Sequence, residues 1–135
     1  MSLSRDQHEF QQKLQEQMDV SGLDALILTS AESIFYATGY GSRSIYNNGA
    51  LGGTIAVVPK RGKATVVCSQ FEQKAAAVEC PGINVVCYPI WLYIADFPDE
   101  GEKPVQPDPN KAFALGVDVL KSEQPETRRI GVDAA

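Results

Sequence analysis

The sequence predicts an α/β domain in which a mixed, mostly parallel sheet of about five strands, with one hairpin, is covered by helices. Short β-branched and apolar runs alternate along the chain with segments of helical periodicity, and two of these runs are joined by a turn of hairpin length. The chain has 135 residues, of which 44% are hydrophobic and 21% are charged. These values are ordinary for a globular protein, so we expect residues 1–135 to form one domain with its own core.

Apolar spacing predicts the first helix and the first strand. Residues 4–20 carry a narrow apolar stripe at helical spacing, and Gly22 follows where the helix ends. The stripe consists of Phe10, Leu14 and Met18. Residues 24–30 come next and contain the continuous apolar run Ala25–Leu28, which is typical of a strand buried on both faces.

A short second helix is predicted over residues 31–38. Ser30 precedes it and can act as its N-cap, because a serine hydroxyl accepts a hydrogen bond from a free backbone N–H of the first turn. Gly39 follows it and is placed for a left-handed C-cap. We expect the aromatic rings of Phe35 and Tyr36 to pack this helix onto the sheet.

The hairpin is the clearest β signal in the chain. Two β-rich runs, Thr54–Val58 and Ala64–Cys68, flank the turn-forming segment Pro59–Lys63. Further along we expect a helix over residues 69–78, a strand over 83–88, a helix from Asp108-Pro109 to about Lys121, and a strand over 128–133.

Two long segments lack the pattern of either element. Residues 40–53 are rich in glycine, serine and asparagine. Residues 96–110 hold four of the eight prolines and five acidic residues against one lysine. A connection of this length exceeds the usual one, and we expect the acidic segment to be a solvated surface loop whose role the sequence does not define.

Composition excludes several classes of function. The formal net charge is −5, so the chain lacks the basic surface of a nucleic-acid binder and the basic cluster that holds a protein on an anionic membrane. No apolar run reaches membrane-spanning length, and the polar first twenty residues do not resemble a signal peptide. We therefore expect a cytoplasmic protein whose three cysteines, Cys68, Cys80 and Cys87, are reduced thiols.

The residues of common catalytic sites are scarce. His8 is the single histidine, it falls on the polar side of the first predicted helix, and no G-x-S-x-G motif is present, so the sequence indicates neither a serine or cysteine nucleophile with a histidine base nor a histidine-rich metal site. Acidic residues are plentiful, but Asp24 and Asp133 are expected at opposite ends of strands, and no tuned carboxylate pair is evident. We predict that this chain has no catalytic residues, no bound cofactor and no metal site of its own.

Three blocks of sequence resemble a known family. Gly22–Ser30, Glu32–Tyr40 and Arg129–Asp133 resemble the N-terminal domain of the creatinase/prolidase/aminopeptidase P metallopeptidases, although Ser33 and Ala37 stand where that pattern has asparagine and leucine. The resemblance implies a ribonuclease H-like fold. It also implies a separate C-terminal pita-bread domain that holds a dinuclear metal (Mn, Co or Zn) on two Asp, one His and two Glu. We expect residues 1–135 to be the non-catalytic domain of such an enzyme.

The same resemblance implies an indirect function. In the family this domain serves dimerisation and shapes access to the metal site, so we expect a homodimer of an Xaa-Pro peptidase that acts beside its own catalytic domain. The substrate-adjacent candidates follow Gly39: Tyr40, Arg43 and Tyr46, because an arginine fork suits a carboxylate and aromatic rings suit an apolar body. Two alternatives stay open, namely a creatinase-like hydrolase of C–N bonds and a free-standing interaction module.

Overall fold

The computed structural model describes residues 7–42, 53–89 and 110–133. The helices in these ranges are α1 (Gln7–Ser21), α2 (Ala31–Thr38), α3 (Gln73–Glu79) and α4 (Lys111–Glu123). The strands are β1 (Ala25–Leu28), β2 (Ile55–Pro59), β3 (Thr65–Ser69), β4 (Asn84–Tyr88) and β5 (Ile130–Val132).

The strands form one five-stranded mixed sheet in the order β4-β3-β2-β1-β5, which confirms the predicted α/β class. The predicted hairpin is the antiparallel pair β2–β3. β1 also pairs with β2 in the antiparallel sense, whereas β1–β5 and β3–β4 are parallel. Parallel and antiparallel pairs are thus equal in number among the described strands, because β2 runs antiparallel to both of its neighbours.

Helices cover both faces of the sheet. Alternate side chains of each strand point to opposite faces, so each interior strand contributes to two cores. The core under α1, α2 and α3 contains Met18, Leu28, Ile34, Val58, Val66 and Cys68. The core under α4 contains Ile27, Ile55, Val57, Val67 and Leu120.

Both predicted caps of α2 are present. The Ser30 hydroxyl accepts a hydrogen bond from the backbone N–H of Ser33 at 3.2 Å, and Ser30 itself has extended backbone geometry. Gly39 has φ 81° and donates its N–H to the Phe35 carbonyl at 2.8 Å. Because only glycine adopts a left-handed conformation at little cost, Gly39 ends the helix and directs the chain into the following segment.

The packing of α2 differs from the prediction. Phe35 and Tyr36 remain 48% and 39% exposed, whereas Ile34 and Ala37 are fully buried. Helical spacing explains the difference, because positions three and four apart share one face and the face toward the sheet begins at Ala31. Tyr36 instead packs edge-to-face against Phe10 of α1, with ring centroids 5.0 Å apart.

Two helices begin later than predicted. α4 begins at Lys111 with Asn110 as its N-cap residue, so the predicted start at Asp108-Pro109 is wrong. Most of the acidic segment 96–110 lies outside the described residues. α3 begins at Gln73, and its N-cap residue Glu72 makes no side-chain capping bond to the helix, because that side chain binds partners elsewhere.

Candidate functional site

One end of the sheet brings together several hydrogen-bonded polar side chains. β1, β3, β4 and β5 end at this side, because β1 and β5 run parallel, as do β3 and β4, and β2 runs antiparallel to its two neighbours. In open α/β sheets, ligands bind outside the carboxyl ends of the strands. The segment between α2 and β2 leaves and re-enters the described structure at this end.

Glu72 occupies the centre of this region. Its carboxylate accepts hydrogen bonds from the hydroxyls of Tyr40 at 2.8 Å and Ser42 at 2.7 Å, both on Oε1. Oε2 accepts from the Thr54 hydroxyl at 2.5 Å. We refer to these four residues, Glu72, Tyr40, Ser42 and Thr54, as the Glu72 cluster. Each of them is at most 6% exposed.

Among the described residues, the Glu72 carboxylate is stabilised by hydroxyl donors and not by a salt bridge. Burying a carboxylate is costly unless its oxygens are hydrogen-bonded, and bonds from hydroxyls to a carboxylate are among the stronger ones in proteins. In the described ranges the ion pairs are Lys13–Glu9 and Lys60–Asp19, so neither involves Glu72. Within the part of the chain that the structure describes, three hydroxyl donors therefore take the place of a cationic partner.

Chain topology brings the members of the cluster together. Tyr40 and Ser42 follow α2, Thr54 precedes β2, and Glu72 follows β3. Since β2 and β3 are antiparallel, the residue before β2 lies beside the residues after β3. Thr38 helps to orient the first of these residues, because its hydroxyl accepts a hydrogen bond from the backbone N–H of Tyr40 at 3.1 Å.

A second tyrosine supports the same region. The Tyr88 hydroxyl donates a hydrogen bond to the carbonyl of Gly53, the residue before Thr54. Burial and then the hydrogen bond to Glu72 raise the pKa of Tyr40 above its ordinary value of 10.0, and burial also raises the pKa of Tyr88. Both phenols therefore stay protonated and able to donate at physiological pH.

Asp133 anchors the neighbouring part of the same sheet end. Its carboxylate accepts hydrogen bonds from the backbone N–H and the hydroxyl of Thr29, each at 2.9 Å, and from the backbone N–H of Ser30 at 2.8 Å. Partial burial would raise the pKa of Asp133, but the bonds from Ser30 and Thr29 outweigh it and hold the pKa below its ordinary value.

Asp24 lies at the opposite end of the sheet, as predicted. Its carboxylate accepts from the backbone N–H groups of Arg128 and Arg129 at 2.9 and 3.0 Å, and these bonds lower its pKa. Asp24 and Asp133 therefore hold β1 and β5 together at the two ends of the pair. They bind backbone groups and do not form a carboxylate pair.

The described residues offer no ligand set for the metal that the resemblance implies. Across residues 7–42, 53–89 and 110–133, no group of three or more His, Cys, Asp or Glu side chains could hold a metal ion. The cysteines of this part of the chain form no disulfide, and burial raises the pKa of Cys68 and Cys87, which face each other in register on β3 and β4. Protonated thiols are poor ligands and poor nucleophiles.

The structure describes one of the three predicted substrate-adjacent residues. Tyr40 is 1% exposed and donates its hydroxyl to Glu72. Arg43 and Tyr46 lie outside the described residues, so their role stays a prediction. Sequence reasoning missed Glu72, because a glutamate after Phe71 at the start of a helical pattern is typical of a solvated helix face.

Comparisons with known proteins identify the family. The family described as the Creatinase/Prolidase N-terminal domain matches residues 11–135. This chain therefore belongs to the creatinase/prolidase N-terminal domain family. A search of curated proteins finds no match.

Solved structures share the fold at low sequence identity. The Xaa-Pro dipeptidase from Bacillus anthracis superposes with a TM-score of 0.64 at 13% identity, covering 95% of this chain and 27% of that chain. The N-terminal domain of Xaa-Pro dipeptidase from Lactobacillus brevis gives 0.61 at 15% identity, covering 92% and 75%. The N-terminal domain of a cytoplasmic peptidase from Mycobacterium tuberculosis gives 0.50 at 20% identity, covering 59% and 55%. The chain thus spans about a quarter of the length of the Bacillus enzyme.

None of the described helices is both long enough and apolar enough to cross a bilayer.

Proposed function

We propose that this chain is the non-catalytic N-terminal domain of an Xaa-Pro dipeptidase-like metallopeptidase. The family match over residues 11–135 carries this proposal. The Bacillus anthracis Xaa-Pro dipeptidase supports it, because 95% of this chain superposes on 27% of that enzyme. We propose that residues 1–135 form one domain, act beside a C-terminal catalytic domain, and contribute to homodimer formation and to substrate access.

The chemistry of peptide-bond cleavage would reside in that second domain. The dinuclear metal, for which we propose Mn, Co or Zn, has no ligand set in the described part of this chain. We therefore assign no catalytic step to these residues. A cytoplasmic location is supported by the absence of a disulfide among the described cysteines and by the Mycobacterium tuberculosis relative, which is described as a cytoplasmic peptidase.

The contribution to substrate access is proposed for the segment after Gly39. Arg43 offers a planar guanidinium that suits a substrate carboxylate, and Tyr46 offers a ring that suits an apolar side chain. Tyr40 is buried and bonded to Glu72, so its proposed contribution is to hold the beginning of this segment in place. The sheet end where Tyr40 lies is also where open α/β sheets bind ligands.

Kinetics of the longer protein that includes a catalytic domain test this proposal. We expect hydrolysis of Xaa-Pro dipeptides and not of creatine, and we expect Arg43→Ala to raise KM about tenfold with little change in kcat or melting temperature. Arg61→Ala is the matched control, because Arg61 is an exposed arginine in the turn between β2 and β3.

Other outcomes favour the alternatives. Hydrolysis of creatine favours a creatinase-like enzyme, and absence of both activities favours a free-standing interaction module. Unchanged kinetics with a lower melting temperature in Arg43→Ala assign that residue to packing. Sedimentation of the same protein tests the homodimer, and a monomer at working concentration overturns that part of the proposal.

A further inference from the structure

The side chains of Cys68 and Cys87 form a thiol pair between two neighbouring strands. Cys68 lies on β3 and Cys87 on β4, and the two residues are partners in the register of this parallel pair. Cys68 is part of the core under α1, α2 and α3, and Cys87 packs against the same core. The two thiols are hydrogen-bonded to each other. We propose that this pair is an oxidative modification site, at which a small hydroperoxide such as hydrogen peroxide produces an intrachain disulfide.

The strand geometry meets the requirements of a disulfide. Neighbouring strands lie about 4.8 Å apart, and the Cα atoms of a disulfide are separated by about 4.4–6.8 Å. Register partners also direct their side chains to the same face of the sheet, and both of these thiols belong to one core. Because the thiols are already in contact, the bond can form without a change of fold.

The two thiols differ in accessibility, and this difference assigns their roles. Cys68 is completely buried, whereas Cys87 is partly exposed on β4, the strand at one edge of the described sheet. A peroxide therefore reaches Cys87 first. Burial raises the pKa of Cys87, but the hydrogen bond with Cys68 opposes this effect and favours the Cys87 thiolate. Burial raises the pKa of Cys68, so this thiol stays protonated until the second step.

The reaction is a two-electron oxidation of the thiol pair. The Cys87 thiolate attacks one oxygen of the peroxide, the O–O bond breaks, and the products are a sulfenic acid and hydroxide. The Cys68 sulfur then attacks the Cys87 sulfur and the S–O bond breaks. The Cys68 proton leaves with the hydroxyl group as water, and the proton first lost by Cys87 neutralises the hydroxide. Both sulfurs are thus oxidised, and the peroxide is reduced to water.

The expected bridge belongs to the reducible class of disulfides. A bond between register partners must adapt to the fixed spacing of two hydrogen-bonded strands, and strained or exposed disulfides are the ones that reductants open readily. The pair is therefore expected to be reduced in the absence of peroxide and to return to two thiols when a dithiol is added. In its oxidised form the bridge fastens the edge strand β4 to β3.

Thiol counting and mass spectrometry of the 135-residue chain test this inference independently of the proposed function. The chain is exposed to hydrogen peroxide under native conditions and then denatured, and its remaining thiols are alkylated. We expect the number of alkylated cysteines to fall from three to one, and dithiothreitol to restore all three. The oxidised chain should be lighter by about 2 Da before alkylation, because two thiol hydrogens are lost. Tandem mass spectrometry of the linked peptides should place the bridge between Cys68 and Cys87.

Two substitutions distinguish the proposed pair from the third cysteine. Cys80 is buried at the C-terminal end of α3 and is not on a strand, so no register places it opposite Cys68. Cys80→Ser should therefore still form the bridge. Cys87→Ser, at the partly exposed position, should keep both of its remaining thiols after the same treatment. The peptide assignment in the unsubstituted chain decides the question if either variant does not fold.

Four results would overturn the proposal. They are a bridge that joins Cys68 to Cys80, a bridge between two copies of the chain, addition of oxygen to Cys87 without a bridge, and three unmodified thiols after peroxide treatment. Loss of two thiols in Cys87→Ser would have the same meaning, because Cys68 would then pair with another cysteine.

Discussion

The carboxylate of Asp133 and the backbone N–H of Ser30 are joined by a hydrogen bond of 2.8 Å, although 103 residues separate them in the sequence. The same carboxylate also binds the backbone N–H and the hydroxyl of Thr29. Asp133 thus ties the end of β5 to the beginning of α2, where the helix dipole favours a negative charge. This contact lies at the same end of the sheet as the Glu72 cluster.

Stability should fall at acid pH partly through Asp133. Because the folded state holds the pKa of Asp133 below its unfolded value, its contribution is present at neutral pH and is lost as the pH falls below about 4. We expect Asp133→Asn to lower the free energy of unfolding by about 1 kcal/mol at pH 7, allowing for solvent screening, and by less at pH 3. Urea unfolding at the two pH values measures this difference.

The control for this prediction is Asp118→Asn, which removes an exposed carboxylate on α4. We expect it to leave the free energy of unfolding nearly unchanged at both pH values. If Asp133→Asn loses the same stability at pH 3 as at pH 7, the ionised carboxylate is not what stabilises this contact.

The left-handed backbone at Gly39 predicts a specific cost for a side chain. Gly39→Ala should lower the free energy of unfolding by about 1 kcal/mol, because φ is 81° at this position. Gly41→Ala is the matched control, since Gly41 is outside the left-handed region and an added Cβ meets nothing within 4 Å. Equal losses for the two variants in urea unfolding would show that the C-cap conformation is not the cause.

The two faces of α2 should respond differently to truncation. Ile34 is fully buried, so Ile34→Ala should cost about 2–5 kcal/mol through lost burial and the cavity left behind. Phe35 is 48% exposed, and Phe35→Ala should cost less than half as much despite removing a larger side chain. Chemical denaturation of both variants measures the two losses in the free energy of unfolding. A larger loss for Phe35→Ala would contradict the finding that the Ile34 face of α2 packs against the sheet.

Local chemistry explains why much of the fold was predictable. Ser30 and Gly39 each determine a helix end through groups adjacent in sequence, and the hairpin β2–β3 is closed by its own turn. No residue next to the buried run Ala25–Leu28 indicates which strands pair with it. Its partner β2 is separated from it in the sequence by α2 and a long connection, and periodicity does not indicate which strands pair, so the antiparallel β1–β2 pair could not be predicted.

The candidate site was less predictable, because its contacts are long-range. Glu72 binds hydroxyls that lie 32, 30 and 18 residues away, and a single sequence does not relate those positions. Tyr40 was predicted near the substrate from its place after Gly39, and the structure shows its hydroxyl bound to Glu72. An aromatic residue after a helix cap is compatible with either role, and only burial distinguishes them.

The most direct test of the non-catalytic role is an assay of Xaa-Pro dipeptide hydrolysis. It compares the isolated 135-residue chain with the longer protein that includes a catalytic domain. Both proteins are supplied with Mn, Co or Zn ions in turn. We expect no turnover by the isolated chain, because the described residues provide no ligand set for metal-activated water, and turnover by the longer protein. Metal-dependent turnover by the pure 135-residue chain would contradict the assignment of this domain as non-catalytic.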